Sequence, residues 1–356
     1  MRWGQRGSDG AMSRISDPID IKLLELAQVA VPVTEHPFGD IGRQIGASEE
    51  DILERVRRLK SARVIRQISA IFDTRSLGYA SSLVAAQVDS SRVDEAAAIV
   101  SRHPGVSHNY LRNHAFNLWY TIAVSPRSKL GLEKTVELLH RLSGARSTRL
   151  LPTLKLFKIG VKFDVAGESR PDDLDAPVYT EQSRATDTPL TPEEVAFVRV
   201  MQRDLPVTAT PFAEYAKELG MALASLQRMH HHFLDAGRMR RFAAVLHHRQ
   251  AGFSANAMGV WAASGDDAEI ERAGALMAGF RAVSHCYRRP SYPDWQYNIF
   301  TMVHGRSRDE CERVLAAIAA KTGIRDHCAL YSTKEYKKVR IRYFTAEEET
   351  WEAEQR

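Results

Sequence analysis

The chain has 356 residues, of which 44% are hydrophobic and 26% charged, and its formal net charge is +5 at pH 7. This composition is typical of a folded globular protein and excludes disordered and fibrous classes. The sequence has no apolar run of the roughly 18 residues that a membrane span needs, no apolar signal segment at its start, and no disulfide or zinc spacing among its three cysteines. We therefore expect a cytoplasmic protein without membrane contact, whose positive charge suits a polyanion, either nucleic acid or a polycarboxylate small molecule.

The first elements of the chain are three helices and a short wing. Apolar residues recur at helical spacing after Asp17, a break at Pro32 precedes the second helix, and Ser48 is a good N-cap for the third. The predicted elements are helices at 17–29, 38–45 and 48–60 and wing strands at 64–68 and 69–72. This order predicts a winged helix-turn-helix domain at 15–72.

An α/β stretch follows. The predicted elements are strands at 79–88, 106–112, 116–124 and 147–157, with helices at 93–102 and 129–143. Their order is βαββαβ, which is that of a ferredoxin-like domain, here placed at 76–165. Residues 166–189, rich in glycine, serine, proline, aspartate and threonine, read as a linker.

The second half repeats this organisation. The predicted helices are 191–204, 212–219, 221–235, 267–279 and 309–322, and the predicted strands are 239–246, 257–262, 283–289, 296–304 and 327–331. They form a second winged helix-turn-helix domain at 190–246 and a second ferredoxin-like domain at 250–345. The fold class is therefore α+β, a tandem duplication whose halves can pack with pseudo-twofold symmetry, as a homodimer would. The domain order resembles the Lrp/AsnC regulators, so a DNA-binding regulator is the first functional hypothesis.

The helix that would enter the DNA groove argues against that hypothesis. A recognition helix reads bases mainly with its N-terminal residues. In the first copy these are Glu49, Glu50 and Asp51, and in the second copy residues 221–225 read Met-Ala-Leu-Ala-Ser. Carboxylates repel phosphates, and short apolar side chains offer nothing to a base edge. DNA is therefore an improbable partner.

Polar residues recur between the two ferredoxin-like domains at fixed spacing. They are His108, Tyr110, Arg112 and Asn117 in the first copy and His285, Tyr287, Arg289 and Asn298 in the second. A repeat that only preserved a core would keep apolar positions and let polar ones drift. The repeat therefore indicates a binding or catalytic site.

The chemistry of these residues suits a flat, iron-bearing ring with carboxylates. Alternation along a strand places His108, Tyr110 and Arg112 on one face, with His114 at the turn and Trp119 on the returning strand. Arginine binds carboxylates, aromatic rings cover a flat ligand, and histidine ligates iron or transfers a proton. Further cations occupy matched positions, Arg66 with Arg240 and Lys155 with Lys334, and Arg241 lies next to Arg240.

Three segments resemble one enzyme family. The strings at 108–119, 284–298 and 240–253 are similar to those of the sirohaem decarboxylases, and the resemblance covers 15–165 and 189–345. These enzymes usually consist of two related subunits. Both subunits are present here in one chain, which resembles the NirD–NirL fusion of haem d1 synthesis.

The resemblance implies a reaction and its requirements. Carbon dioxide would leave the C12 and C18 acetates of sirohaem without oxidation, to give didecarboxysirohaem for haem d1 or alternative haem biosynthesis. No cofactor beyond the substrate's own iron would be needed. The expected partners are the tetrapyrrole itself and either a second copy of the chain or a homologous decarboxylase.

The resemblance also implies roles for individual residues. His108 and His114 would be catalytic, and His285 would be the candidate ligand of the sirohaem iron. The expected substrate contacts are Arg66, Tyr110, Arg112, Trp119, Lys155, Arg240, Arg241, His248, Tyr287, Arg289 and Lys334. Because His114 aligns with Trp295, we favour the pocket of the first hairpin as the active one. Two alternatives stay open, a tetrapyrrole-responsive DNA-binding regulator and a non-catalytic partner of an active homologue.

Overall fold

The computed structural model describes residues 17–159, 188–246 and 255–355, which form two compact units. One unit contains residues 17–72 and 200–246, and the other contains 73–159, 188–199 and 255–355. Each unit thus combines equivalent segments from the two halves of the chain. Within the described ranges, no helix has both the length and the apolar character needed to cross a membrane.

The smaller unit contains the helix-turn-helix segments. Its elements are α1 (Pro18–Val29), α2 (Pro37–Ile45), α3 (Glu49–Ser61), β1 (Ile65–Phe72), α7 (Pro211–Glu218), α8 (Leu223–Asp235) and β7 (Met239–Leu246), and the last two residues of α6 (Pro192–Met201) are also assigned to it. Side chains cap the helices as expected, because Asp17 accepts from the backbone N–H of Ile19 at 2.8 Å and Ser48 from that of Asp51 at 3.2 Å. The helix predictions are confirmed to within a few residues.

The predicted wing of two strands in the first copy is wrong. The segment is one strand, β1, and it pairs antiparallel with β7 of the second copy. No glycine or proline interrupts residues 65–72, so nothing in the segment favours a turn. Each copy therefore supplies one strand of a shared two-stranded ribbon.

The larger unit contains both ferredoxin-like domains. The first supplies β2 (Ala80–Gln87), α4 (Val93–Arg102), β3 (Val106–Arg112), β4 (Leu118–Val124), α5 (Gly131–Ser143), β5 (Ser147–Leu151) and β6 (Lys155–Ile159). The second supplies β8 (Ala255–Trp261), α9 (Asp267–Ala278), β9 (Val283–Arg288), β10 (Ile299–Gly305), α10 (Arg308–Thr322), β11 (His327–Leu330) and β12 (Ser332–Lys338), and α11 (Ala346–Glu354) follows. The sheet orders are β12-β3-β4-β2-β5 and β11-β8-β10-β9-β6. The βαββαβ order is confirmed in both copies.

The two domains exchange their last strands, which the sequence did not predict. The expected single strand at 147–157 breaks at Pro152, so that β5 stays beside β2 while β6 crosses to β9 of the other sheet. In the second copy β11 stays beside β8, and β12 crosses to β3. Proline has no N–H to continue a ladder, which ends the first strand there. Each sheet therefore has five strands, one of them from the other half.

Three apolar clusters hold this unit together. Two lie between a sheet and its own helices, and the third joins residues of both sheets, including Trp119, Leu151, Trp295 and Leu330. Strand alternation decides which residues enter which cluster. The sheets accordingly pack face to face, and the odd-numbered residues of β4 point toward this shared face.

A C-terminal helix, α11, lies beyond the predicted boundary at 345. Its Glu348 side chain accepts from the backbone N–H of Ser125 at 2.9 Å, and Glu352 accepts from that of Lys129 at 3.1 Å. Both carboxylates are buried, and Trp351 joins the core of the first ferredoxin-like domain. The end of the chain is thereby attached to its first half.

Candidate functional site

The first hairpin places His108 and Tyr110 on the face of its sheet that carries Trp119. Asn109 between them points the other way and donates to Ala97 O of α4 at 3.0 Å. The rings of His108 and Tyr110 lie 6.1 Å apart, and Nδ1 of His108 is 2.9 Å from the hydroxyl of Ser107. Burial, and then the nearby Glu335 carboxylate, raise the pKa of Tyr110 to about 12, so the phenol stays protonated at neutral pH. We call His108 and Tyr110 the first hairpin site.

The second hairpin repeats this geometry with His285 and Tyr287, which we call the second hairpin site. Their rings are again 6.1 Å apart, and Nδ1 of His285 is 2.8 Å from the hydroxyl of Ser284. The Ser284 hydroxyl is also 2.7 Å from Nε2 of His304. Burial, and then the neighbouring His304, lower the pKa of His285 to about 4, so its imidazole is neutral. Cys286 faces the helices, as its alternation with His285 predicts.

The two repeated arginines bind backbone carbonyl groups of the opposite half. Nη1 of Arg112 donates to Leu330 O at 2.9 Å, and Nη1 of Arg289 donates to Leu151 O. Both side chains are at least nine-tenths buried, and burial lowers the pKa of each to about 10. The guanidinium groups thus occupy the points where the last strands leave their own sheets. This placement favours a structural role over the predicted contact with substrate carboxylates.

The repeated asparagines are also structural, which corrects the interpretation of the whole repeat as a site. The amide of Asn117 donates to Val88 O at 2.9 Å and accepts from Val88 N at 3.0 Å. Asn298 makes the same two bonds with Ala263, at 2.9 and 3.0 Å. Each side-chain amide therefore makes, at the end of a strand, the two hydrogen bonds that a paired backbone residue would make there.

The predicted residues of the first turn lie against the second half of the chain. Trp119 is 1% exposed and packs 5.2 Å from Trp295, which favours a core role over the predicted substrate contact. His114 is half-buried, with its ring 5.4 Å from that of Trp295. Its Nδ1 accepts from the backbone N–H of Phe116 at 3.0 Å, so the ring proton lies on Nε2, and burial lowers the pKa of His114.

The two predicted lysines are paired with carboxylates of the protein. Lys155 on the exchanged strand β6 pairs with Glu271, and Lys334 on β12 pairs with Asp94 at 2.8 Å. Each ion pair therefore links an exchanged strand to a helix of the domain that receives it. This placement favours a role in fastening the strand over the predicted substrate contact.

The exchange brings other side chains to the first hairpin site. In the register of β12 with β3, Glu335 is opposite Tyr110 and Lys338 is opposite His108, so they share its face. Lys338 is exposed and forms no ion pair with any residue that the structure describes. Sequence reasoning missed both residues because the strand exchange that places them there leaves no local pattern.

The second hairpin site has apolar neighbours at the equivalent positions. Leu156 is opposite Tyr287, and Ile159 and Met302 are opposite His285. The matching neighbour of His108 on β4 is Thr121. The first hairpin site is therefore polar and charged, which suits carboxylates and proton transfer. The second hairpin site is lined by apolar side chains, which suits a neutral imidazole that ligates a metal.

The remaining predicted contacts belong to the smaller unit or fall outside the described residues. Arg66, Arg240 and Arg241 are exposed on the β1–β7 ribbon of the smaller unit. The strands are antiparallel, so Arg66 lies near the end of the ribbon where Ile65 is opposite Leu246. Arg241 is opposite Ile71, near the other end, so Arg66 and Arg241 are far apart on the ribbon. His248 falls outside the described residues.

Comparison with known proteins agrees with this architecture. Residues 76–158 and 250–337 match the family described as AsnC-like ligand binding domain, and residues 20–66 match the Siroheme decarboxylase NirDL-like HTH domain. The siroheme decarboxylase of Hydrogenobacter thermophilus is 39% identical over 330 residues, which are 93% of this chain and 96% of that protein.

Solved structures give the same answer for the whole chain. The crystal structure of the siroheme decarboxylase NirDL has a TM-score of 0.77 and 35% identity, covering 95% of this chain and 98% of that one. The same enzyme in co-complex with an iron-uroporphyrin III analogue has a TM-score of 0.76 and 34% identity over the same shares. Sequence, fold and domain order thus agree, and the chain belongs to the siroheme decarboxylase family.

Proposed function

We propose that this chain is a carboxy-lyase that removes carbon dioxide from the C12 and C18 acetates of sirohaem and releases didecarboxysirohaem. The observation that carries the proposal is the histidine–tyrosine pair on the same sheet face in both halves of a member of this family. The iron-uroporphyrin III analogue in the related structure supports an iron tetrapyrrole with carboxylates as the ligand. The only metal in the reaction is the substrate's own iron.

The reaction exchanges each acetate carboxylate for a proton. Protonation of the pyrrole ring first makes the ring an electron sink. The bond between the methylene carbon and the carboxylate carbon then breaks, its electron pair enters the ring, and carbon dioxide leaves. A proton added to the methylene carbon forms the methyl group, and the ring returns its borrowed proton. Each decarboxylation consumes one proton and transfers no net electrons, so the protein must supply a proton donor.

The first hairpin site is the proposed place of this proton transfer. His108 is the proton donor, and Tyr110 beside it presents a neutral phenol that hydrogen-bonds a carboxylate. Lys338, opposite His108 on β12, supplies a cation for a neighbouring carboxylate of the ring. His114, whose Nδ1 is already engaged by Phe116, would orient the substrate through its Nε2–H.

The second hairpin site is the proposed place of the iron. His285 is held neutral by burial, and a neutral imidazole is the form that ligates a metal. Its Nδ1 is directed to Ser284, so Nε2 is the nitrogen left for the iron. Tyr287, stacked beside it at 6.1 Å, covers the ring of the tetrapyrrole.

The helix-turn-helix unit gives no support to the alternative of a DNA-binding regulator. Arg55 of α3 is bound to Asp17, Asp20 and Asp51, and Arg58 is bound to Asp20. These cations are therefore neutralised within the protein, and α3 begins with three carboxylates. Phosphate contacts supply most of non-specific DNA affinity, so this helix surface lacks what a regulator needs.

Anaerobic incubation of the purified chain with sirohaem, followed by mass spectrometry of the tetrapyrrole, tests the proposal. Loss of two carbon dioxide units supports it in full. Loss of one would mean that a homologous partner chain is required for the second acetate. Tight binding with no change of mass would overturn the proposal and favour a sensor or an inactive partner.

A further inference from the structure

The two hairpin sites differ in the residue of the neighbouring strand that lies next to the serine hydroxyl. In the second hairpin site, the hydroxyl of Ser284 lies between two imidazoles, 2.8 Å from Nδ1 of His285 and 2.7 Å from Nε2 of His304. In the first hairpin site, Ser107 makes the equivalent contact with His108 at 2.9 Å. Ala123 occupies the position on β4 that His304 occupies on β10. Both residues donate their backbone N–H to the preceding loop, Ala123 to Gly105 O and His304 to Ala282 O.

We propose that His304 is a positioning residue that acts through Ser284 to hold His285 with its Nε2 lone pair directed at the iron of the substrate. The inference rests on the proposed role of His285 as the iron ligand. A ligating imidazole donates its other N–H to an acceptor, which fixes the tautomer and the ring orientation. In the arrangement that we propose, Nδ1–H of His285 donates to the Ser284 hydroxyl, and that hydroxyl donates its own O–H to Nε2 of His304.

The distances around Ser284 are compatible with this direction of donation. A serine hydroxyl has one proton to donate, and it accepts from His285 only if that proton goes elsewhere. The alternative acceptor, Met302 O, is farther away at 3.3 Å, whereas His304 Nε2 is at 2.7 Å. Nε2 of His285 forms no hydrogen bond with any residue that the structure describes, so it is the nitrogen available to a ligand.

The absence of an imidazole at Ala123 gives the first hairpin site the opposite character. With no second imidazole at that position, the Ser107 hydroxyl can donate to Nδ1 of His108, which leaves the ring proton on Nε2 of His108. One half would therefore present a lone pair and the other a proton, although both carry the same Ser-His-x-Tyr string. The difference between the halves comes from one position on the neighbouring strand, which is Ala123 on β4 and His304 on β10.

The test uses the full chain loaded with ferric iron-uroporphyrin III and compares the absorption and EPR spectra of the bound iron. His304→Ala should change the axial-ligand signature and weaken binding by roughly 10–100-fold, the usual effect of losing a second-sphere partner. His304→Gln, whose side-chain oxygen can accept the serine proton, should restore most of the signature. Ser284→Ala should reproduce the effect of His304→Ala and provides a second variant if the first does not fold.

Ser107→Ala is the matched control, because it removes the same type of bond in the other half and should leave the iron spectrum unchanged. Unchanged spectra and affinity in both His304→Ala and Ser284→Ala would overturn the inference. So would a spectral change in Ser107→Ala as large as that in Ser284→Ala. Turnover of the unmodified chain with sirohaem is measured separately. Its failure would refute the proposed function and leave the spectral result to decide the inference.

Discussion

Arg112 and Leu330 join the two halves of the chain by a hydrogen bond of 2.9 Å from the guanidinium Nη1 to the carbonyl oxygen. In the same way, Nη1 of Arg289 in the second half donates to the carbonyl oxygen of Leu151 in the first half. Leu330 ends β11 and Leu151 ends β5, and after each of them the chain crosses to the other sheet. Each arginine therefore stabilises the backbone at one of these two crossings. Each guanidinium also lies near an aromatic ring, that of Tyr110 or Tyr287.

This relationship predicts that the arginines contribute mainly to stability. Arg112→Ala or Arg289→Ala leaves a buried carbonyl without its donor and opens a cavity, which should lower the free energy of unfolding by about 2–4 kcal/mol. Thermal unfolding measures the change. Arg141→Ala is the control, because its i,i+4 pair with Glu137 is exposed and should contribute less than about 0.5 kcal/mol. Equal shifts for Arg112→Ala and Arg141→Ala would refute the structural role.

Lys338 and Lys334 lie four residues apart on β12 and should behave differently. Lys338→Ala removes a cation beside His108 and should raise KM for sirohaem by about tenfold, the effect of a charged hydrogen bond worth about 1.4 kcal/mol. Lys334→Ala breaks an exposed pair with Asp94 and should leave KM within about twofold. Steady-state kinetics under anaerobic conditions measures both. The reverse ranking would show that the register of β12 does not bring Lys338 to the substrate.

His108 and His114 should differ in their effect on turnover. His108→Ala removes the proposed proton donor and should reduce kcat by roughly 100-fold or more. His114→Ala should reduce it less, because Nδ1 of His114 is committed to the Phe116 backbone N–H. Neither variant should change the spectrum of bound iron, which depends on His285. A larger loss in His114→Ala than in His108→Ala would assign the proton transfer to the turn instead.

The buried carboxylate of Glu348 predicts a pH-dependent stability. Burial, with Glu352 and Glu349 nearby, raises the pKa of Glu348 to about 7 from its ordinary value of 4.5. The folded state thus binds this proton more tightly than the unfolded state, so stability decreases as pH rises from about 4.5 to about 7 and levels off above that.

Glu348→Gln removes this dependence while its side-chain oxygen can still accept from Ser125. At pH 8 it should raise the free energy of unfolding by about 3 kcal/mol, and near pH 4 it should have little effect. Glu354→Gln, at an exposed position on the same helix, is the control and should be neutral at both pH values. Denaturant unfolding at the two pH values measures the difference. An equal effect of Glu348→Gln at both would contradict the raised pKa.

The sequence predicted local structure well because local structure depends on local signals. Strand β3 and helix α4 have the predicted bounds, since alternation at Val106–Arg112 and a helical period at Val93–Arg102 are properties of the segment itself. Strand β1 was predicted as a wing because nothing in Ile65–Phe72 indicates that its partner lies in the other half of the chain. Pairing between strands that are far apart in the chain leaves no periodic pattern in the sequence of either strand.

The candidate site shows the same division. The His-x-Tyr strings locate both histidines correctly on one face, because alternation alone places them there. The prediction chose Lys334 and not Lys338, because the choice depends on a register across an exchanged strand with a bulge. It also treated Arg112 as a ligand contact, because burial beneath Leu330 O is a tertiary property.

The proposed reaction removes both acetate carboxylates on this chain alone and adds one proton to each methylene carbon. The most direct measurement is anaerobic incubation of the purified chain with sirohaem in D₂O, followed by mass spectrometry of the tetrapyrrole. We expect a product that has lost two carbon dioxide units and gained one deuterium in each new methyl group. Recovery of sirohaem with its mass unchanged, or loss of carbon dioxide without deuterium in the new methyl groups, would contradict it.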